Sequence, residues 1–190
     1  MTQFQHDLGS TRANMSFIDR DLGRWNEALK KIQRAIVLQR TASKSEPRNP
    51  TYRRFLRDHL RRLSRVELQL RHPTEAAGAA RESATLTSGD PDVLYDVACL
   101  VARCAALADG PNPDYGSQMA DQGPETYADE AMAYLRQAIA AGWSDWGLTA
   151  TDTDLKPLHV RRDFQETVFD RNIPAEAFAP SPEASAPTAP

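Results

Sequence analysis

Glu27-Ala28-Leu29-Lys30-Lys31-Ile32-Gln33-Arg34-Ala35 returns as Glu75-Ala76-Ala77-Gly78-Ala79-Ala80-Arg81-Glu82-Ser83, and again as Glu130-Ala131-Met132-Ala133-Tyr134-Leu135-Arg136-Gln137-Ala138. Each copy reads Glu-Ala-apolar-x-x-apolar-x-x-small, with its spacing set by the turn of an α-helix. Small residues at these positions let two helices approach closely, and the apolar ones fill the space between them. The first two copies lie 48 residues apart, and the same shift superimposes what precedes them. Phe4 falls on Tyr52, Leu8 on Leu56, Met15 on Leu63, Ile18 on Val66 and Leu22 on Leu70, and beyond the pattern Leu38 falls on Leu86. A repeat of this length, helical throughout, predicts a stack of helix pairs that share one extended surface.

The punctuation between the apolar stripes divides the chain into units. Gly23-Arg24 is a turn, and a second helix is expected over residues 25–39. Residues 41–50 are polar with two prolines and read as a loop, and Asn49-Pro50-Thr51 opens a third helix. That helix carries the stripe Tyr52, Leu56, Leu60, Leu63, Val66 and Leu70. His72-Pro73 ends it, with Thr74 as the expected cap of its partner. Ser88-Gly89-Asp90-Pro91 is a further stop and restart. A third pair is expected over 92–108 and 125–141, closed by Gly142, with the Gly, Pro and Asp-rich segment 109–123 as a long connection. The units expected are therefore 4–40, 49–88 and 90–142, a capping segment 152–172 and a disordered Pro and Ala-rich tail 173–190. In the cap, Leu155, Leu158, Phe164 and Val168 are expected to cover the last pair.

With Leu22-Gly23-Arg24-Trp25 ahead of the first copy, the pattern resembles the tetratricopeptide repeat. The spacing and the Phe4-Gln5-x-x-Leu8 opening resemble the longer tandem arrays of planctomycete-type bacterial proteins. The segment Asp154-Leu155-Lys156-Pro157-Leu158, with Asp163-Phe164, is similar to the closing segment of such arrays. The resemblance covers about residues 4–171 and implies an all-α fold of about three antiparallel helix pairs in a right-handed superhelix with a C-terminal capping helix. It implies a non-catalytic scaffold that binds a protein or peptide on its concave surface. It also implies a second reading, because these arrays often follow a serine/threonine kinase domain: the chain as the regulatory C-terminal part of such a kinase. Two positions depart from the family pattern: His72-Pro73 stands where it has Gly-x-aromatic, and Arg65 replaces a small or apolar residue.

Composition supports helix and excludes several chemistries. Apolar residues are 41% of the 190, aromatics only 7%, and most of the apolar residues are Ala and Leu. No apolar run approaches the ~20 residues that span a bilayer, and residues 1–10 have no basic n-region or apolar h-region, so a cytoplasmic protein without membrane contact is expected. There is no phosphate-cradling glycine loop, nucleophile elbow, His-Glu-x-x-His pair or kinase motif, so no catalysis and no cofactor are expected. His6, His59, His72 and His159 are scattered without metal-ligand spacing, and Asp152 and Asp154 lack the glycine and distal glutamate of a calcium loop. Cys99 and Cys104 lie five apart, about 140° around a helix axis, and read as small buried fillers.

Charge is the remaining signal. Residues 1–89 hold 17 Lys/Arg against 9 Asp/Glu, whereas residues 90–190 hold 6 against 17. Within the basic half, Arg53, Arg54, Arg57, Arg61 and Arg65 spread over roughly 120° opposite the leucine stripe. One reading is a solvated face paired with carboxylates of a neighbouring helix. The other is a docking strip for an acidic peptide or terminus, for which guanidinium groups suit carboxylates. Sparse aromatics and an acidic total argue against nucleic acid. The asymmetry between halves also favours self-association head to tail.

Overall fold

Proline or a capping polar side chain starts most of the helices among the described residues. A computed structural model describes residues 1–109 and 123–169, and among these there is no strand. Six longer helices form three successive pairs: α1 (Thr2–Asp21) with α2 (Trp25–Ser45), α3 (Pro50–Gln69) with α4 (Pro73–Thr85), and α5 (Pro91–Ala108) with α6 (Pro124–Ala140). Proline opens α3, α4, α5 and α6, where its missing N–H costs nothing. The Asn49 side chain accepts from Thr51 N–H, and the Asp90 side chain accepts from the N–H groups of Asp92 and Val93. A short helix α7 (Trp146–Thr151), a 3-10 helix (Thr153–Leu158) and α8 (Arg162–Phe169) follow. The expected tail, and all of the expected 109–123 connection except its two end residues, lie outside the described residues.

The 48-residue shift is written in the backbone. Gly23 and Arg71 are both left-handed, at φ 71° and 62°. In the first turn Gly23 N–H donates to Arg20 C=O and Arg24 N–H to Asp19 C=O. In the second, Arg71 N–H donates to Leu68 C=O and His72 N–H to Glu67 C=O. Both are the paired 5→2 and 6→1 bonds that close a helix. Gly142, at φ 110°, closes α6 in the same way. The shift extends to side chains, since buried Asp19 holds Arg24 and Lys31 while buried Glu67, its counterpart, holds His72 at 2.8 Å.

Packing follows the small residues of the repeated pattern. Ala28, Ala35, Ala76, Ala77, Ala80, Ala131 and Ala138 are completely buried. A Cβ at Gly9 would lie 3.3 Å from Ala35 O, so α1 and α2 meet at nearly backbone distance. One apolar cluster joins the first two pairs through Ala13, Ile32, Ala35, Ile36, Leu56 and Leu60. The larger one holds α5, which is buried on almost every side, together with α4, α6 and the cap. Leu155, Leu158, Phe164 and Val168 all sit in it, as the cap reading expects.

Three local expectations change. α2 continues to Ser45 because Ala42 is buried and the Thr41 and Ser45 hydroxyls bond back to Val37 C=O and Thr41 C=O. α4 is capped at His72, not Thr74, because Pro73 already occupies its first turn. The α1 stripe aligned with that of α3 is open: Phe4 is 69% exposed and Ile18 60%, against 4% for both Tyr52 and Val66. α1 turns a second face, with His6, Gly9, Ala13, Ser16 and Asp19, onto α2.

Phe164 is 1% exposed and its ring stacks on His159. Its replacement by Ala is expected to cost about 3–5 kcal/mol in urea unfolding, as for other buried aromatics. A loss below about 1 kcal/mol would show that the cap does not hold the third pair.

Candidate functional site: the α1–α3 face

The five arginines singled out in α3 divide by partner. Arg57, Arg61 and Arg65 recur every fourth residue and turn toward α5. Arg57 lies 3.3 Å from Asp58 and 3.9 Å from Asp90, while Arg61 and Arg65 both hold Asp96. These pairs brace the second unit against the third. Arg53 and Arg54 are exposed and have no carboxylate within 4 Å among the described residues. The Arg54 guanidinium stands 5.7 Å from the centre of the Phe55 ring.

Arg62 is one residue on from Arg61, about 100° further around the helix. It faces α1 rather than α5. Its guanidinium lies 5.1 Å from the centre of the Phe17 ring, which also carries the Arg20 guanidinium at 3.6 Å. Phe17 remains 39% exposed. Arg20 holds Asp21 at 2.8 Å, whereas Arg62 has no ion pair with a described residue. Burial lowers the Arg62 pKa from its ordinary value, and the nearby Arg20 and Arg65 act in the same direction against Asp58. A cation in that position gains from any anion brought to it. The sequence carried a faint sign of this arrangement in Phe17-x-x-Arg20, an aromatic and a cation one helical turn apart.

Aromatic rings form the base between these cations. His6 meets Phe55 edge-on at 4.7 Å and Tyr52 at 5.0 Å, and Phe55 meets His59 edge-on at 6.1 Å. Gln39, fully buried, binds His6 Nδ1 at 3.0 Å and donates to Tyr52 C=O at 2.9 Å, fixing both pairs to each other. His59 is 2% exposed, and neither ring nitrogen has a hydrogen-bond partner among the described residues. Burial pushes its pKa down to about 4, with Arg62 and His6 adding to the shift and Asp58 opposing it.

The other candidate groups are placed elsewhere. Asp152 accepts from the Tyr95 hydroxyl at 2.9 Å and from the Cys99 thiol, and Asp154 faces Arg103 at 3.6 Å. Both cysteines are free and buried, and burial raises the pKa of each thiol. Among the described residues no group of three His, Cys, Asp or Glu is arranged to hold a metal, and no helix is long and apolar enough to cross a membrane. A cleft of about 600 Å³ between α5, α6 and the 3-10 helix is lined by charges of both signs, among them Arg103, Glu125, Asp154 and Arg161. No family model, no curated protein and no solved structure matches the chain.

The buried His59 sets a pH dependence. Its folded pKa lies below the unfolded value, so the unfolded chain takes up a proton first as pH falls. Stability present above pH 6.5 is therefore lost between 6.5 and about 4, by up to about 3 kcal/mol from this group. Denaturant unfolding of wild type and His59→Leu across that window checks it: the wild type is expected to lose more, and parallel curves would contradict the burial of a neutral imidazole.

Proposed function

We propose that the chain is a non-catalytic, cytoplasmic protein-interaction scaffold of the tetratricopeptide type, and that the α1–α3 face binds an acidic segment of a protein partner. The repeat family is supported by three successive antiparallel pairs, by closing turns that recur with a 48-residue shift, and by an apolar cap on the last pair. One observation carries the ligand class. Arg54 beside Phe55 and Arg62 beside Phe17 stand without a carboxylate partner among the described residues, while Arg57, Arg61 and Arg65 on the same helix are paired with Asp90 and Asp96 of the α5 side. Arginine and aromatic side chains together are the commonest centres of binding energy in protein interfaces. A run of Asp or Glu gains charge-assisted hydrogen bonds from the guanidinium groups, and the rings supply area that needs little ordering.

Fluorescence anisotropy with a labelled glutamate-rich peptide tests the reading. Arg54→Glu with Arg62→Glu is expected to weaken binding by at least roughly tenfold with circular dichroism unchanged, since two attractive charges become repulsive. Binding is also expected to weaken as salt rises, because exposed charges are screened over about 10 Å at 0.1 M. Wild-type binding that is indifferent to salt, or unaffected by the double substitution, contradicts the reading.

A further inference from the structure

We infer that α1 is the seam of a parallel two-fold homodimer, a surface distinct from the α1–α3 face and independent of what that face binds. Phe4, Leu8, Thr11, Met15, Ile18 and Leu22 follow one another in steps of four and three. That is the a and d spacing of a coiled coil, carried along a helix of 20 residues, about 30 Å. The stripe is open: Phe4 is 69% exposed, Met15 45%, Ile18 60% and Leu22 59%. Large exposed apolar side chains are otherwise few among the described residues. Met1, at 108%, and Phe17 also belong to this end, leaving Val37, Leu148 and Val160 elsewhere.

The internal repeat says what kind of surface covers such a stripe. In α3 the equivalent residues Tyr52, Leu56 and Val66 are 4–6% exposed, and Leu56 is sealed in a cluster with Ile32, Ala35 and Ile36 of the preceding helix. The face is built to receive another apolar helix. At the far end of the array the corresponding role is already taken by Leu155, Leu158, Phe164 and Val168, so a second copy cannot offer its last pair. What a second copy does offer is its own α1. The contact is then the same patch on both molecules, which closes at two and does not propagate.

Charge fixes the direction. Asp7 lies on one flank of the stripe, exposed, with Gln3 as its side-chain partner. Arg12 lies on the other flank, half-buried, and its Nε is buried with no acceptor among the described residues. In a parallel coiled coil a residue on the first flank meets the residue five further on in the second helix. That places Asp7 of each copy beside Arg12 of the other, twice. An antiparallel pairing brings Asp7 toward Asp21, two acids.

Sedimentation equilibrium of the full chain tests this over roughly 1–300 µM, the range suited to a seam smaller than the ~1,600 Å² of a standard interface. A reversible dimer is expected. Ile18→Asp is expected to give a monomer with unchanged circular dichroism. Asp7→Arg and Arg12→Asp are each expected to raise the dissociation constant roughly tenfold, and the two together to bring it back toward wild type. A monomer throughout, a dimer that survives Ile18→Asp, or a double exchange no better than either single one overturns the inference.

Discussion

Close approach of helices through alanine and glycine is the constraint on which the rest of this structure depends. A helix pair with Ala28 and Ala35 on one side and Gly9 and Ala13 on the other gains contact rather than buried area, because an alanine side chain removes little apolar surface from water. Every such contact is lost if the helices separate slightly, so the pairs are rigid as units. The larger apolar residues concentrate in α5, α6 and the cap, where Leu100, Tyr127, Met132, Leu135 and Phe164 are almost completely buried. The first pair has a smaller core, and its outer helix has one long face in water. Stability is therefore graded along the chain, highest at the capped end.

Electrostatics tie the units in a way that explains much of the charge asymmetry between the two halves. Arg57, Arg61 and Arg65 in the basic half meet Asp90 and Asp96 in the acidic half, and Arg81 meets Glu130 through a two-pronged contact at 2.7 Å. Part of the two opposite excesses is thus brought together across the joint between the second and third units, where the sign of the excess changes. What remains unpaired is informative by contrast. Arg54 and Arg62, without a carboxylate partner among the described residues, each lie close to an aromatic ring, and the guanidinium of Arg62 is partly desolvated before any ligand arrives. Preformed cations of this kind lose little freedom on binding.

The repeat, the pairing and the cap were legible because they rest on local signals: a period near 3.6, proline at helix starts and glycine at helix ends. Two features followed a subtler logic. Arg71 occupies a left-handed position where sequence favours glycine, so the second turn looked different from the first although its bonds are the same. The Asp19 and Glu67 counterparts, each buried beside the turn that follows, belong to the same repeat but are polar and were hidden by attention to apolar stripes. The proposed docking surface was legible only as a set of arginines on one helix. Which of them are free depends on Asp90 and Asp96, some 30 residues away, and on Phe17 in another unit. One helix's periodicity cannot report its neighbours on both sides, and Arg62 was missed because it turns toward α1 while Arg61 turns toward α5.

Amide chemical-shift mapping, with a glutamate-rich peptide titrated into labelled full-length chain, tests most directly that the unpaired arginines and rings of α1 and α3 act as one surface. The account predicts that the largest changes cluster at Phe17, Arg20, Arg54, Phe55 and Arg62, with Arg57 and Arg61 shifting less because α5 already holds them. Changes centred instead on the cleft between α5, α6 and the 3-10 helix, or spread evenly along the chain, would contradict it.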